Sequence, residues 1–159
     1  IDSVVCHTAH PPKGDLLDIN DEAWHLGLDM LILNVVRLTR AITPIMEKQG
    51  GGSWVNISTF AAFEPEQALP VSCTLRAGLS AFAKLYADRY AGANIRMNNV
   101  LPGFIDSLQH SETVLTRIPM GRIGTVDEIA KTPAFLLSDD AGYMTGQNLI
   151  VDGGITRHL

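Results

Sequence analysis

The sequence predicts an α/β fold, in which a doubly wound parallel β-sheet is covered by helices on both faces. Four short segments rich in apolar and β-branched residues alternate with three longer segments whose apolar residues recur at helical spacing. Each connection between consecutive strands is long enough for the right-handed crossover that parallel strands need. Ligands bind to such sheets beyond the carboxyl ends of the strands, so the residues that follow each strand are the first candidates for a functional site.

The predicted strands end at polar or turn-forming residues. We predict strands over residues 3–6, 53–59, 95–101 and 148–152. Pro11-Pro12 keeps the segment after the first strand irregular, and Pro102-Gly103 ends the third strand. The residues expected to line one cleft at the carboxyl edge of the sheet are His7, Thr59, Pro102, Gly103 and Asp152.

Capping signals mark the ends of the three predicted helices, which span residues 21–48, 71–90 and 125–137. The third begins with a capping box formed by Thr125 and Glu128. The glycines at 50–52 follow a helix and precede a strand, so we interpret them as a helix C-cap rather than a phosphate-binding loop. Residues 104–118 have no regular period and are predicted to form a mobile loop or short helices over a pocket.

Composition limits the classes of function. A chain of 159 residues with 46% hydrophobic residues fits one domain over 1–159, and its net charge of −5 argues against a nucleic-acid partner. No apolar run is long enough to suggest a membrane span, and the histidines lack metal-ligand spacing. Two cysteines, Cys6 and Cys73, fit a reducing compartment, so we expect a cytoplasmic protein. Cys73, near a helix N-terminus, is either a packing residue or an activated thiol.

Three side chains point to a site at the carboxyl edge. Thr59 places a hydroxyl at the end of the second predicted strand, and Ser72 and Arg76 are four residues apart on the helix that follows. Because residues four apart share a helix face, we expect all three in the same cleft. His7 and His10 lie in the loop beside it, where each is either an acid/base group or an ordinary loop hydrogen-bonding residue.

Several segments carry a family resemblance. They are GGGSWVNIST at 50–59, IRMNNVLPGFI at 95–105, PMGRIG at 119–124, TGQ at 145–147 and VDGG at 151–154. In this order they resemble the C-terminal two-thirds of the short-chain dehydrogenase/reductases, which are single-domain Rossmann-type oxidoreductases. The resemblance implies that residues 1–159 are the C-terminal part of one Rossmann-fold domain, without its N-terminal strands and glycine-rich loop.

The resemblance also implies a reaction, hydride transfer between NAD or NADP and a small carbonyl or alcohol substrate. In the family an Asn, Ser, Tyr and Lys tetrad supports the transfer, with Tyr as the acid/base and Lys lowering its pKa and holding the ribose. Aligning the central strand places the Ser position at Thr59, the Tyr position at Ser72 and the Lys position at Arg76. The Asn position falls at Leu31, and a shift of three residues would let Asn34 serve.

Further positions are implied to bind the cofactor. Besides Arg76, which keeps a charge for the ribose, they are Ala9, Pro102, Gly103, Ile105 and Ser107. Ser107 lies where the family has a Thr that contacts the nicotinamide amide. The alternative is that Ser107 only caps the loop. The glycine-rich pyrophosphate loop would precede Ile1, and the first strand would then be a bare sheet edge. We therefore expect upstream residues, or another chain, to cover that edge.

The altered tetrad leaves three hypotheses. Ser72 is far less acidic and several ångströms shorter than tyrosine, and losing a positioned general acid typically slows a reaction 10²–10⁴-fold. The protein is therefore an oxidoreductase with an altered proton relay, or a non-catalytic scaffold or regulatory relative with a degenerate active site. The third hypothesis is a lyase similar to the halohydrin dehalogenases, which use Ser, Tyr and Arg at these spacings. Arg76 fits that pattern, but Ser72 stands where the pattern has Tyr.

The two long predicted helices also suggest an assembly. Residues 21–48 and 71–90 carry more apolar residues than a single sheet face requires. They resemble the helix pair that forms four-helix interfaces in tetramers of the family. A homodimer or homotetramer through these helices is therefore expected.

Overall fold

The computed structural model describes residues 1–8 and 10–157. Its sheet has four parallel strands in the order β1-β2-β3-β4. The strands are β1 Ser3–His7, β2 Gly52–Ile57, β3 Ile95–Pro102 and β4 Asn148–Val151. The predicted α/β class with an all-parallel sheet is confirmed. Among the described residues β1 pairs only with β2, so it lies at the edge of this sheet.

The helices match the three predicted segments, with one difference. They are α1 Asp21–Leu28, α2 Asn34–Gln49, α3 Pro70–Tyr90 and α4 Val126–Leu137. Short 3₁₀ helices lie at Phe60–Ala62, Ala91–Ala93, Glu112–Arg117 and Asp139–Ala141. The predicted helix over 21–48 is not one α-helix, because a π-helical segment, Asp29–Leu33, joins α1 to α2. In it the backbone N–H of Asn34 reaches back five residues to the carbonyl of Asp29.

The predicted caps are confirmed. Gly50 ends α2 in the left-handed conformation, with φ 91°, and its N–H donates to the carbonyl of Glu47. At the start of α4 the Thr125 hydroxyl accepts from the N–H of Glu128, whose carboxylate accepts from the N–H of Thr125. The triple glycine is therefore a helix terminus, as its place in the sequence indicated.

Helices cover both faces of the sheet. On one face α2 and α3 pack Met46 and Leu79 around the fully buried Trp54. On the other face Leu136 of α4 packs with Val55 and Val100. Neighbouring residues of β2 thus point into opposite cores, as the two-residue period of a strand requires. No helix among the described residues is both long and apolar enough to cross a membrane.

A chain of side-chain amides ties three strands together across the sheet. The indole N–H of Trp54 donates to Asn56 Oδ1 at 2.7 Å. The amide of Asn56 donates to Asn99 Oδ1 at 2.8 Å, and that of Asn99 donates to Asn148 Oδ1 at 2.7 Å. Because the two Asn–Asn links each join neighbouring strands, this Asn ladder holds β2, β3 and β4 in one register.

Replacing Gly103 with alanine is expected to destabilise the protein by about 1–3 kcal/mol. A Cβ on Gly103 would lie 2.7 Å from Asp152 Cα and 3.0 Å from its carbonyl oxygen, so the ends of β3 and β4 would have to separate. Urea denaturation measures the loss. Gly92→Ala is the matched control, since nothing lies within 4 Å of a Cβ there. Equal stability of the two variants would contradict the prediction.

Candidate active site

A cavity of about 950 Å³ lies beyond the carboxyl ends of the strands. Its walls come from the segments that follow β1, β2 and β3, from the start of α3, and from α4. His7, Thr59, Pro102 and Gly103 line it, as expected for this class of sheet. Asp152 does not. Its carboxylate instead accepts from the N–H groups of Gly154 and Thr156 at 2.8 and 2.9 Å and so closes the turn after β4.

Thr59 reaches the cavity from a short segment beyond β2. The strand ends at Ile57, two residues earlier than predicted, and Thr59 caps the 3₁₀ helix Phe60–Ala62. Its hydroxyl accepts from the N–H of Ala61 at 3.4 Å. That contact uses a lone pair and leaves the hydroxyl hydrogen available to a ligand in the cavity.

Ser72 and Arg76 lie in the first two turns of α3, and both line the cavity although each is more than nine-tenths buried. Arg76 Nε donates to Ser72 Oγ at 3.3 Å, and Nη1 donates to the carbonyl of Ile57 at 3.1 Å. The predicted meeting of Thr59, Ser72 and Arg76 in one cleft is therefore observed. The guanidinium also links α3 to the end of β2.

Burial sets the charge state of the buried groups around Arg76. It lowers the pKa of Arg76 to about 10, an effect partly offset by Cys6, so the guanidinium stays positively charged at neutral pH. Burial likewise raises the pKa of the Cys6 thiol, with Arg76 acting in the opposite direction. The pKa of Cys73 is also raised by burial, and its Sγ is hydrogen bonded to the backbone of Glu66. Burial of Cys73 and its backbone contacts therefore favour a packing role over an activated thiol.

The structure does not bring Asn34 to the site. Asn34 is half-buried at the start of α2, Leu31 is fully buried in the π-helical segment, and neither lines the cavity. The π-helical turn between α1 and α2 sets the directions of both side chains, and the spacing of residues in the sequence does not reveal such a turn.

The positions predicted to hold the cofactor form one wall. Pro102, Gly103, Ile105 and Ser107 all line the cavity, and Ala9 lies outside the described residues. A nicotinamide ring fits this wall chemically, because apolar surface from Pro102 and Ile105 adjoins polar groups. Ser58 Oγ, also in the lining, is buried without a hydrogen-bond partner among the described residues. A bound cofactor or substrate would satisfy that atom.

An aromatic wall was missed by the sequence reasoning. The Phe104 ring packs against Phe60 at 5.4 Å and edge-on against His110 at 5.1 Å, and all three side chains line the cavity. Arg117, from the predicted short helix over the pocket, stacks on Phe104 at 5.5 Å and pairs with the Glu66 carboxylate. These contacts join distant segments of the chain, so the one signal in the sequence was the presence of aromatic residues in segments predicted to be loops.

Comparisons with known proteins agree with this geometry. A family model described as enoyl-(acyl carrier protein) reductase matches residues 1–156. The rabbit (Oryctolagus cuniculus) protein dehydrogenase/reductase SDR family member 4 is 33% identical, over 100% of this chain and 65% of its own length. The Thermotoga maritima 3-oxoacyl-(acyl-carrier-protein) reductase FabG is 35% identical, over 88% of this chain and 60% of its own.

A solved structure is similar as well. A crystal structure described as that of a short-chain dehydrogenase/reductase from Burkholderia xenovorans matches with a TM-score of 0.87 and 29% identity. The match covers 98% of this chain and 63% of that one. The chain therefore spans about 60–65% of the length of the relatives named here.

Proposed function

This chain belongs to the short-chain dehydrogenase/reductase family, and from that premise we propose that it is the C-terminal part of an NAD(P)-dependent oxidoreductase and carries its substrate site. The proposed reaction is hydride transfer between the nicotinamide and a small carbonyl or alcohol substrate. One observation carries the proposal: Thr59, Ser72 and the charged Arg76 line a single cavity at the carboxyl edge of the sheet.

The reduced nicotinamide, when bound, supplies a hydride to the carbonyl carbon of the substrate. The Thr59 hydroxyl donates a hydrogen bond to the carbonyl oxygen and so favours the negative charge that develops there. Arg76 holds ribose hydroxyls and adds a positive charge beside the same oxygen. Ser72 occupies the place of the proton donor, but an aliphatic hydroxyl gives up its proton poorly, so the oxygen is protonated slowly.

Cofactor binding is the step these residues support best. Pro102 and Ile105 offer apolar surface to the nicotinamide, Ser58 and Ser107 offer hydroxyls, and Arg76 offers its guanidinium.

Arg76→Met is expected to raise the Kd for reduced cofactor about 10- to 100-fold, because losing hydrogen bonds from a charged donor weakens binding by about that factor. Fluorescence titration of the full-length protein with NADH and with NADPH measures it. Arg40→Met, an exposed arginine on α2 away from the cavity, is the control. Thermal unfolding of each variant separates loss of fold from loss of binding. A folded Arg76→Met protein with unchanged Kd would refute the proposed role.

The serine at position 72 favours a second candidate function, that of a non-catalytic relative that binds cofactor without turning over substrate. Ser72 lacks the acidity that the reaction needs, while the cavity and Arg76 remain. A panel of carbonyl compounds with saturating NADH or NADPH distinguishes the two candidates. Cofactor binding with no oxidation of NAD(P)H supports the non-catalytic relative.

An assembly through the long helices is part of the proposal. Leu26 of α1, Leu38 and Ile45 of α2 and Leu85 of α3 expose between 36% and 69% of their surface. Apolar side chains exposed on adjacent helices are typical of a subunit interface. A homodimer or homotetramer would cover them.

A further inference from the structure

The two charged side chains among the described residues that line the cavity, Arg76 and Lys13, are both positive. Three histidines, His7, His10 and His110, lie in the same lining. None of the described lining residues is Asp or Glu, although acidic residues outnumber Lys and Arg by 17 to 12 in the chain. Two positive side chains and no carboxylate in the described lining favour an anionic ligand over a cationic one, although the protein has a net charge of −5.

The charged residues and the histidines occupy different parts of the lining. Arg76 is 5% exposed, and its guanidinium lies between α3 and the end of β2. Lys13 and His10 are exposed and come from the loop after β1. His110 comes from the loop after β3, where its Nε2 is 2.8 Å from the carbonyl of Ile105. A carbonyl oxygen only accepts, so Nε2 carries a hydrogen, and Nδ1 donates to a ligand carboxylate when the ring carries both protons.

The rest of the lining is apolar and roomy. Phe60, Phe104 and Leu108 supply much of the wall, and the small Ser72 leaves open the volume that a larger side chain would fill. About 950 Å³ lies at the upper end of the range for small-molecule sites. The cavity therefore has space for a nicotinamide and for a substrate with an apolar body beside it.

We propose that the substrate taken by this cavity is an anionic carbonyl compound, with a carboxylate on an apolar or aromatic body. Lys13 binds the carboxylate, with the doubly protonated ring of His110 as a second donor, while the apolar wall holds the body and the carbonyl faces Thr59. This inference rests on the proposed function, since it names the substrate class of the same site. The phosphates of the cofactor are the other anion that these positive groups could serve, so the test separates the two.

The test uses two aldehydes of nearly equal size, 4-carboxybenzaldehyde and the neutral 4-formylbenzamide, with saturating NADH or NADPH and the full-length protein. We expect kcat/KM to favour the carboxylate about 10-fold or more, because hydrogen bonds to charged groups have at least that value. Lys13→Met and His110→Gln should each reduce the ratio toward 1, and high salt should also reduce it. Lys48→Met, at an exposed lysine on α2 outside the lining, should leave it unchanged.

The cofactor is measured in the same variants. An unchanged Kd for NADH and NADPH together with a reduced aldehyde ratio supports recognition of the substrate. A raised cofactor Kd with an unchanged ratio assigns the positive lining to the cofactor and overturns the inference. Equal turnover of both aldehydes by the unaltered protein overturns it too, while leaving the proposed function intact.

A binding experiment covers the case in which neither aldehyde is turned over. Calorimetry compares benzoate with benzamide in the presence of NADH or NADPH. A preference for benzoate that is lost in Lys13→Met supports the inference that the ligand is anionic. In that case the missing turnover counts against the proposed reductase activity alone. Equal affinity for benzoate and benzamide overturns the inference whatever the activity.

Discussion

The double variant Ser72→Tyr with Arg76→Lys is expected to oxidise NADH or NADPH with a carbonyl substrate about 10²–10⁴-fold faster than the unaltered protein. A tyrosine at 72 would place a phenol in the open volume beside Thr59, since Ser72 already lines the cavity. A lysine ammonium four residues on lowers the pKa of that phenol by stabilising the phenolate. The increase should appear in kcat, because the proton is needed in the transition state.

Two companion variants make this prediction specific to the proton. Ser72→Phe with Arg76→Lys adds the same ring without the hydroxyl, and it should remain as slow as the unaltered protein. Ser72→Tyr alone should give a smaller increase, since the Arg76 guanidinium is held at the carbonyl of Ile57 and does not match the geometry of a lysine ammonium. If the phenylalanine and tyrosine variants were equally fast, filling the cavity rather than supplying a proton would be the cause.

Asn56→Leu is expected to destabilise the protein by about 2–6 kcal/mol. Leucine is close to asparagine in size, but it leaves the indole N–H of Trp54 and Oδ1 of Asn99 without their partner in the core. Each buried polar group left unsatisfied costs about 1–3 kcal/mol. Urea denaturation with a spectroscopic probe gives the free energy of unfolding, and the slope of the transition shows whether unfolding stays two-state.

A graded control uses the end of the same ladder. Asn148→Leu removes one acceptor and leaves only the Asn99 amide unsatisfied, so its cost should be about half that of Asn56→Leu. Equal losses, or a loss below about 1 kcal/mol for Asn56→Leu, would mean that water replaces the missing amide. The ladder also bears on the site, because it aligns the ends of β2 and β3 from which Thr59 and Pro102 emerge.

Local patterns predicted most of the element boundaries. All four strands and the helices α3 and α4 begin and end within about two residues of the predicted positions, because apolar period, capping residues and Pro-Gly pairs act over a few neighbours. The errors lie where tertiary contacts decide. The strand β2 stops at Ile57, because Thr59 caps a short helix instead of extending the ladder. The π-helical turn ending at Leu33 has no local signal of its own.

The amino-acid sequence alone was enough to determine the parallel α/β sheet, the family, and the position of the side chains at 59, 72 and 76 in one cleft. Those depend on residue type and on spacings of a few positions, which a sequence displays directly. Only the tertiary structure decided that Lys13, His110 and Arg76 line one cavity and that Asn56, Asn99 and Asn148 form a ladder. Their partners lie tens of residues apart along the chain, and the folding of the sheet and its loops brings them together.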